Sequence, residues 1–437
     1  SAIPLAVLLL LASLPGAPPA GAAPPGPDRG HYQDYPDLEG KPVRGVLVLG
    51  NNRTRDVVFR REMRIQEGNP FRADDMWRDW ERIVDLGIFA EVEMEAVPSE
   101  GGVLVVVSVH ERPWWFVAPV VDYDLDERTV SVGYRSRLRN LDGLNRTLRS
   151  SLRVGRADRF SVSWDTPWLG ASRQSLLLGL DVELPRAENS ELRTNRVQLA
   201  TTRFLGDYKR SRLGLTVFGR LEMLERDGTH PEGAVDQLSP VLGLGWFRDE
   251  RNVRVDPTRG TLASAVGELV SGWTDDDLGY ARSSLDGRGF VSLGGGLRLA
   301  SRAGATLTTG PVPDYRQLGV GGDNSIRGQP ADVERGNNVA RASVELRFPL
   351  LARRRFGLPI PLVPKKISNV DVRVDGEIFV DAGTAWTESS EFAEARVRGG
   401  AGFGLRVFLP ILEVARFEVA FDPSGRASVY LSEGNVI

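Results

Sequence analysis

Beyond about residue 114, apolar and polar side chains alternate with a period of two in one segment after another. Across residues 129–138, Val130, Val132, Tyr134 and Leu138 are apolar, whereas Ser131, Gly133, Arg135 and Arg137 are small or charged. Residues 175–184 set Leu176, Leu178, Leu180, Val182 and Leu184 against Ser175, Gly179, Asp181 and Glu183. Residues 212–223 oppose Leu213, Leu215, Val217, Leu221 and Met223 to Arg212, Thr216, Arg220 and Glu222. Residues 370–381 put Asp371, Arg373, Asp375, Glu377 and Asp381 on one face. A strand turns successive side chains to opposite faces, so each segment predicts a strand with one apolar and one charged side. About 16 such segments recur, many near ten residues long.

Residues 43–112 have another texture. An alternating run over 43–49 ends in the turn Gly50-Asn51-Asn52. Thr54 is placed to cap a first helix reaching Arg64. After Gly68-Asn69-Pro70, a second helix carries Met76, Trp77, Trp80, Ile83, Val84 and Leu86 on one face, and Gly87 stops it. Strands over 90–97 and 103–111 follow. Strand, helix, helix, strand, strand in about 70 residues predicts a small α+β unit, a sheet with two helices on one face.

Alternation alone also fits a soluble β-sandwich. Three features favour a transmembrane antiparallel β-barrel of about 16 strands: mainly β, preceded by one α+β domain. The segments are longer than the five or six residues usual in globular proteins. Their polar face is dense in Arg, Asp and Glu, as a water-filled lumen requires. Trp164, Trp168, Trp246, Trp273 and Trp386 sit near segment ends, where interfacial girdles lie.

Composition changes this picture little. The 437 residues are 41% hydrophobic with a mean hydropathy of -0.21, values that a barrel shares with soluble proteins because only alternate residues meet lipid. A formal net charge of -3 gives no footprint for nucleic acid. Cysteine is absent, and His31, His110 and His230 are scattered, so neither a disulfide framework nor a histidine or thiolate metal site is expected. The chain shows no nucleophile elbow or phosphate loop; it reads as a non-enzyme without a cofactor.

Residues 3–12, IPLAVLLLLA, have the length of a secretory signal core, and Ala20-Gly21-Ala22 fits a small-residue cleavage site. No charged stretch precedes the core, so the reading is a signal peptide over 1–22, truncated at its start. A disordered tail is expected over 23–40, the small domain over 41–113 and the barrel over 114–437.

Several motifs in order resemble those of the BamA/TamA outer-membrane assembly superfamily, whose periplasmic POTRA domains precede a 16-stranded barrel. Gly50-Asn51-Asn52, Gly68-Asn69-Pro70-Phe71 and Leu86-Gly87-Ile88-Phe89 are similar to POTRA signatures. In the barrel the resemblance runs through Arg139 to Asn145, Trp164-Asp165-Thr166-Pro167-Trp168 and Asp249-Glu250-Arg251-Asn252 to Asp256-Pro257-Thr258-Arg259-Gly260. The family's plug-loop tetrapeptide corresponds to Ile326-Arg327-Gly328-Gln329, with Gln329 in place of the usual aromatic residue. Its inner-wall motif corresponds to Phe379-Val380-Asp381-Ala382-Gly383. The resemblance implies that Ile326, Arg327 and Gly328 lock against Asp381, with Phe379 and Gly383 on the same wall. The alternating register independently puts Asp381 in the lumen, where a buried arginine needs an anionic partner. In residues 397–408 Arg398, Gly400, Gly402, Gly404 and Arg406 share one face, leaving room for a folded-in loop. The chain ends in Ile437 where family barrels usually carry an aromatic residue.

The resemblance implies an assembly or insertion factor in the bacterial outer membrane, with POTRA in the periplasm capturing client strands. A lateral seam between the first and last strands, marked by Phe116, Val120, Val429 and Leu431, would release them. A two-partner-type secretion pore and a passive barrel or surface antigen are the alternatives. Expected partners are unfolded outer-membrane or secreted proteins, outer-membrane lipid, and periplasmic chaperones or accessory lipoproteins. Trp114-Trp115-Phe116 reads as the interfacial belt of the first strand. Arg353-Arg354-Arg355 and Lys365-Lys366 bracket a Pro-rich segment that reads as a solvated turn, with contact to anionic headgroups as the alternative.

Overall fold

The computed structural model describes residues 35–437, apart from 125–128, 156, 171–173, 186–192, 206–211, 227–232, 274–278, 358–368, 409–413 and 434–436. The expected signal peptide and most of the expected tail fall outside the described residues.

The N-terminal domain orders β1 (Val43–Leu49), α1 (Asp56–Glu62), α2 (Ala73–Asp85), β2 (Phe89–Ser99) and β3 (Gly102–Glu111). β3 is central, parallel to β1 and antiparallel to β2. Val103, Val105 and Val107 of β3 point at the helices, where they meet Phe59, Met76 and Ile83. Full burial of a side chain of this size contributes roughly 1.5–3 kcal/mol, enough to order the small sheet. The expected loose tail ends earlier than residue 40. Tyr35–Gly40 turns onto the domain, burying Leu38, because Tyr35 and Leu38 find apolar partners around Phe71. The first helix is shorter than its pattern suggests and has no side-chain cap; Thr54 is engaged elsewhere, as described below.

The remaining strands are β4 (Trp115–Asp124), β5 (Thr129–Leu141), β6 (Arg146–Val154), β7 (Ala157–Thr166), β8 (Gln174–Pro185), β9 (Arg193–Leu205), β10 (Arg212–Arg226) and β11 (Val235–Asp249). They continue as β12 (Gly260–Ser271), β13 (Gly279–Gly294), β14 (Leu297–Thr309), β15 (Leu318–Val320), β16 (Glu334–Gly336), β17 (Asn338–Gly357), β18 (Asn369–Trp386), β19 (Arg398–Phe408), β20 (Ala415–Phe421) and β21 (Ala427–Glu433). Sixteen of them form one antiparallel sheet in chain order from β4 to β21. β15 and β16 pair only with each other, inside the long loop between β14 and β17.

The alternation does what a barrel in lipid requires. Leu242, Leu244, Leu269, Ile378, Val380, Phe403, Val429 and Leu431 are exposed on the outer face, while Glu345, Arg347, Asp375, Glu377, Asp381, Arg406, Arg416 and Glu418 are buried on the inner one. The girdle reading requires exposure near strand ends, which Trp246 and Trp273 have. It does not hold for Trp168 or Trp386. Trp168 meets the N-terminal domain, and Trp386 is buried against Phe392. Arg353, Arg354 and Arg355 belong to the end of β17; the bracketed Pro-rich segment expected as a turn, with Lys365 and Lys366, lies outside the described residues.

Candidate functional site

The loop between β14 and β17 enters the barrel and brings Arg327 to the inner wall. Arg327 donates from Nε to Asp381 Oδ2 at 2.7 Å and from Nη2 to Asp381 Oδ1 at 2.8 Å, a bidentate fork. Its backbone N–H donates to the same carboxylate at 3.0 Å. Nη1 reaches Glu418 at 2.6 Å and Glu345 at 3.0 Å, and the guanidinium lies 3.5 Å over the Phe379 ring. Asp381 and Ser343 are cross-strand neighbours on β18 and β17, and the Ser343 hydroxyl also donates to Asp381.

A fully buried charge is tolerated only when paired and hydrogen-bonded. Arg327 faces three carboxylates, and Arg347, Arg406 and Arg416 adjoin them with Glu377. Four guanidiniums thus face four carboxylates, all almost inaccessible to solvent. The cluster is balanced in formal charge, so each buried ion has a counter-ion beside it.

Space for the loop comes from missing side chains. A Cβ on Gly400 would stand 1.8 Å from the Arg327 carbonyl oxygen, and one on Gly402 would stand 2.6 Å from the Phe379 ring. Gly383 contacts Ile326, which is fully buried. Gly328 has φ +93° and packs its backbone on Phe421 and Asp422, so both its dihedral and its surroundings require glycine. Gln329 is buried as well; its amide donates to the Gly399 carbonyl at 2.7 Å. A hydrogen-bonded amide thus fills the place where the resemblance leads one to expect an aromatic ring.

The four seam residues do not share one face. Val429 and Leu431 are exposed on the outer face of β21. Phe116 lies opposite Arg137 of β5 on the inner register, and Val120 follows it on that register, though its side chain is outside the described residues. Period two explains the split, since even positions of β4 and odd positions of β21 were grouped together. Among the described residues β4 and β21 share no ladder, so they are the two ends of the sheet. The residue of β21 that sequence reasoning missed is Tyr430, between Val429 and Leu431. Its hydroxyl accepts the Gly328 N–H at 3.0 Å. Ile437, which stands where the resemblance leads one to expect an aromatic residue, is buried with Phe290 and Ala300 on the inner face.

A second cluster was not foreseen. The N-terminal domain docks on the turns at its end of the barrel. Thr54 donates to Glu111 at 2.5 Å and accepts from Asn140 at 2.8 Å, while the Arg55 N–H donates to the Gly143 carbonyl. Arg61 stacks on Trp168, whose indole N–H donates to Glu62. Asp85 pairs with Arg212 at 2.5 Å and accepts the Arg254 N–H at 2.7 Å; Glu81 pairs with Arg259 at 2.9 Å. Burial pushes the carboxyls of Glu62, Glu81 and Asp85 above their ordinary pKa values. The turn over residues 250–259 also carries Asp256, which pairs with Arg298 of β14 and Arg373 of β18. One short turn therefore touches both the N-terminal domain and the inner wall.

Comparison with known proteins places this geometry. The family model described as "Omp85 superfamily domain" matches residues 140–428, and the POTRA model, "Surface antigen variable number repeat", matches residues 42–112. The chain belongs to the Omp85 superfamily. It is a bacterial outer-membrane barrel protein whose POTRA domain lies in the periplasm. It is 27% identical over 375 residues to an outer membrane protein assembly factor BamA of Nitratidesulfovibrio vulgaris, an alignment covering 80% of this chain and 44% of that protein. The chain thus spans under half the length of this relative. In fold it resembles BamA from Haemophilus ducreyi lacking POTRA domains 1–3, with TM-score 0.50, 21% identity, and 90% and 83% of the two chains covered. CdiB from Escherichia coli is similar at TM-score 0.60 and 14% identity, with 91% and 74% covered.

Proposed function

We propose that this chain assembles and inserts other outer-membrane barrel proteins. The observation that carries the reading is the pair of sheet ends, β4 and β21, which share no ladder among the described residues, with the tip of the locked plug loop bonded to Tyr430 of β21. An unpaired strand presents a row of N–H and C=O groups that recruits another strand. A client strand adding to β4 would sit between lipid outside and the charged lumen inside, and each alternation of its own sequence would be sorted accordingly. The POTRA sheet offers its outer strands β1 and β2 for capture of unfolded segments before that step. Arg327 and Asp381, with Ile326, Gly328, Phe379 and Gly383 around them, hold the plug loop and fix the cavity below the seam. Partners in this reading are unfolded outer-membrane proteins and the other members of an assembly complex.

Vesicles containing the purified protein should accelerate folding of an added client barrel, read by heat-modifiable gel mobility. Equal rates with empty vesicles would sink the proposal. Ion conductance without faster insertion would point instead to a secretion pore.

A further inference from the structure

The loop between β14 and β17 grips the wall at two places, of which Arg327 is one. Eleven positions earlier in the chain, Arg316 meets another part of the wall. Its Nη1 donates to Glu222 of β10 at 2.7 Å, and its Nη2 donates to the Ser239 hydroxyl of β11 at 2.7 Å. Glu222 and Ser239 stand opposite each other in the ladder, so one guanidinium bridges both strands. Arg282 of β13 donates to the Arg316 carbonyl at 3.1 Å. Just ahead of it, Val312 packs against Phe218, Val241, Val270 and Tyr280. Strands β12, β13, β14 and β17 separate β11 from β18, so the loop is strapped between two well-separated stretches of the inner wall.

The two anchors differ in what their departure leaves behind. Among the described residues Arg327 is the one guanidinium paired with Asp381, and neither side chain is open to solvent. Its departure would strand a buried carboxylate, which is costly. Glu222 is shared instead. Its Oε1 faces Arg220 at 2.7 Å and Arg196 at 3.1 Å, while Oε2 takes Arg316. Without Arg316, Glu222 keeps two cations, and the Ser239 hydroxyl needs only a water. The Arg196 side chain is 41% exposed, so water reaches this cluster. An ion pair open to solvent and shared in this way is weak compared with a dry, exclusive one.

We propose that Arg316 is the releasable anchor of the loop and Arg327 its hinge, and that release of Arg316 opens a passage along the wall of β10 to β13. Arg316 acts here as a positioning residue, holding the first leg of the loop while Arg327 holds the second. The inference concerns the loop alone and does not depend on the assembly reading.

The test uses the full chain, folded in detergent and reconstituted into planar bilayers. Arg316→Gln should raise the fraction of time spent conducting about tenfold over the wild-type protein, the factor for one lost charged hydrogen bond. Ser239→Ala, which removes only the neutral partner, should shift conduction the same way by less. Arg288→Gln removes a lumen guanidinium that bonds to Asp286 of its own strand, and should conduct like the wild-type protein. Hydrogen exchange read by mass spectrometry reports which end moves. Amides of residues 312–320 should exchange faster in Arg316→Gln, while those of residues 325–330 keep their wild-type protection. Faster exchange at both ends would overturn the proposal, because the loop would then leave as one piece. Wild-type conduction in Arg316→Gln, or an equal rise in Arg288→Gln, would overturn it as well.

Discussion

The Gly328 N–H donates to the Tyr430 hydroxyl at 3.0 Å, tying the tip of the plug loop to the last strand of the sheet. Tyr430 sits opposite Glu418 on β20, and Glu418 is one of the carboxylates that hold Arg327. Strand β21 is joined to the sheet through β20 alone among the described residues, over 7 paired positions. Moving it away from β20 therefore disturbs the loop tip, and releasing the loop loosens β21.

Tyr430→Phe tests that coupling with little change in shape. It leaves the Gly328 N–H without its partner, at a cost of about 1–2 kcal/mol. The expected outcome is a lower unfolding temperature and a lower yield of disulfide between cysteines introduced across β4 and β21, a clean assay because the chain has no cysteine of its own. An unchanged cross-linking yield would separate the loop tip from the seam.

Arg327 and Asp381 should behave as a unit. Removing one member of a buried pair strands the other, so Arg327→Ala and Asp381→Ala should each destabilise by about 3–5 kcal/mol. The double variant should cost clearly less than the sum, and additivity in thermal unfolding would count against the pair. Arg327→Lys should not restore the wild-type value, because a single ammonium cannot make the fork to Asp381 while reaching Glu418 and Glu345.

The sequence made the barrel legible because a sheet between lipid and water must alternate, and residues 370–381 alternate apart from Phe379, which sits on the inner face. Arg327 and Asp381 were legible through the plug-loop and inner-wall motifs. Glu345 and Glu418 could have been found by carrying the inward register from β18 to β17 and β19 to β20, since cross-strand position follows from period two. Tyr430 carried no such signal, because its hydroxyl meets the loop only through tertiary folding. The docking residues were hidden for another reason. Thr54, Glu81 and Asp85 look like ordinary residues of a small domain, and their partners Asn140, Arg259 and Arg212 lie 86 to 178 positions away, near strand ends and a turn whose approach no local pattern encodes.

Gly400 gives a direct test of the space the loop needs. A methyl group there would overlap the Arg327 carbonyl at 1.8 Å, and backbone cannot yield as a flexible side-chain end can. Gly400→Ala should therefore push the loop out of its seat, exposing residues 321–330 to added protease while the barrel stays folded on gels. Gly179→Ala is the matched control: its new methyl would meet only the Gln198 Cβ at 3.9 Å, an ordinary contact. Protection of the loop in both variants would show that Gly400 is not a constraint.

The docking of the POTRA domain should respond to pH. Glu62, Glu81 and Asp85 have pKa values raised above 4.5, 4.5 and 3.8 by burial, despite the opposing pull of Arg82, Arg259 and Arg212. Asp249, close to Asp85, adds to the rise there. A carboxyl with a raised pKa in the docked form takes up a proton on docking, so its contribution is fully present below the ordinary value. That contribution is lost as pH rises through the raised value. Docking should therefore tighten as the medium is acidified from neutrality toward the ordinary carboxylate range. Distances between spin labels on α2 and on the turn over residues 250–259 should narrow to one population at the acid end and broaden at neutral pH. The triple variant Glu62→Gln, Glu81→Gln, Asp85→Asn should remain in the narrow population across that range, because amides fill the same positions without titrating. A distance distribution that broadens on acidification instead would mean that the ion pairs to Arg259 and Arg212 outweigh the cost of burying their carboxylates.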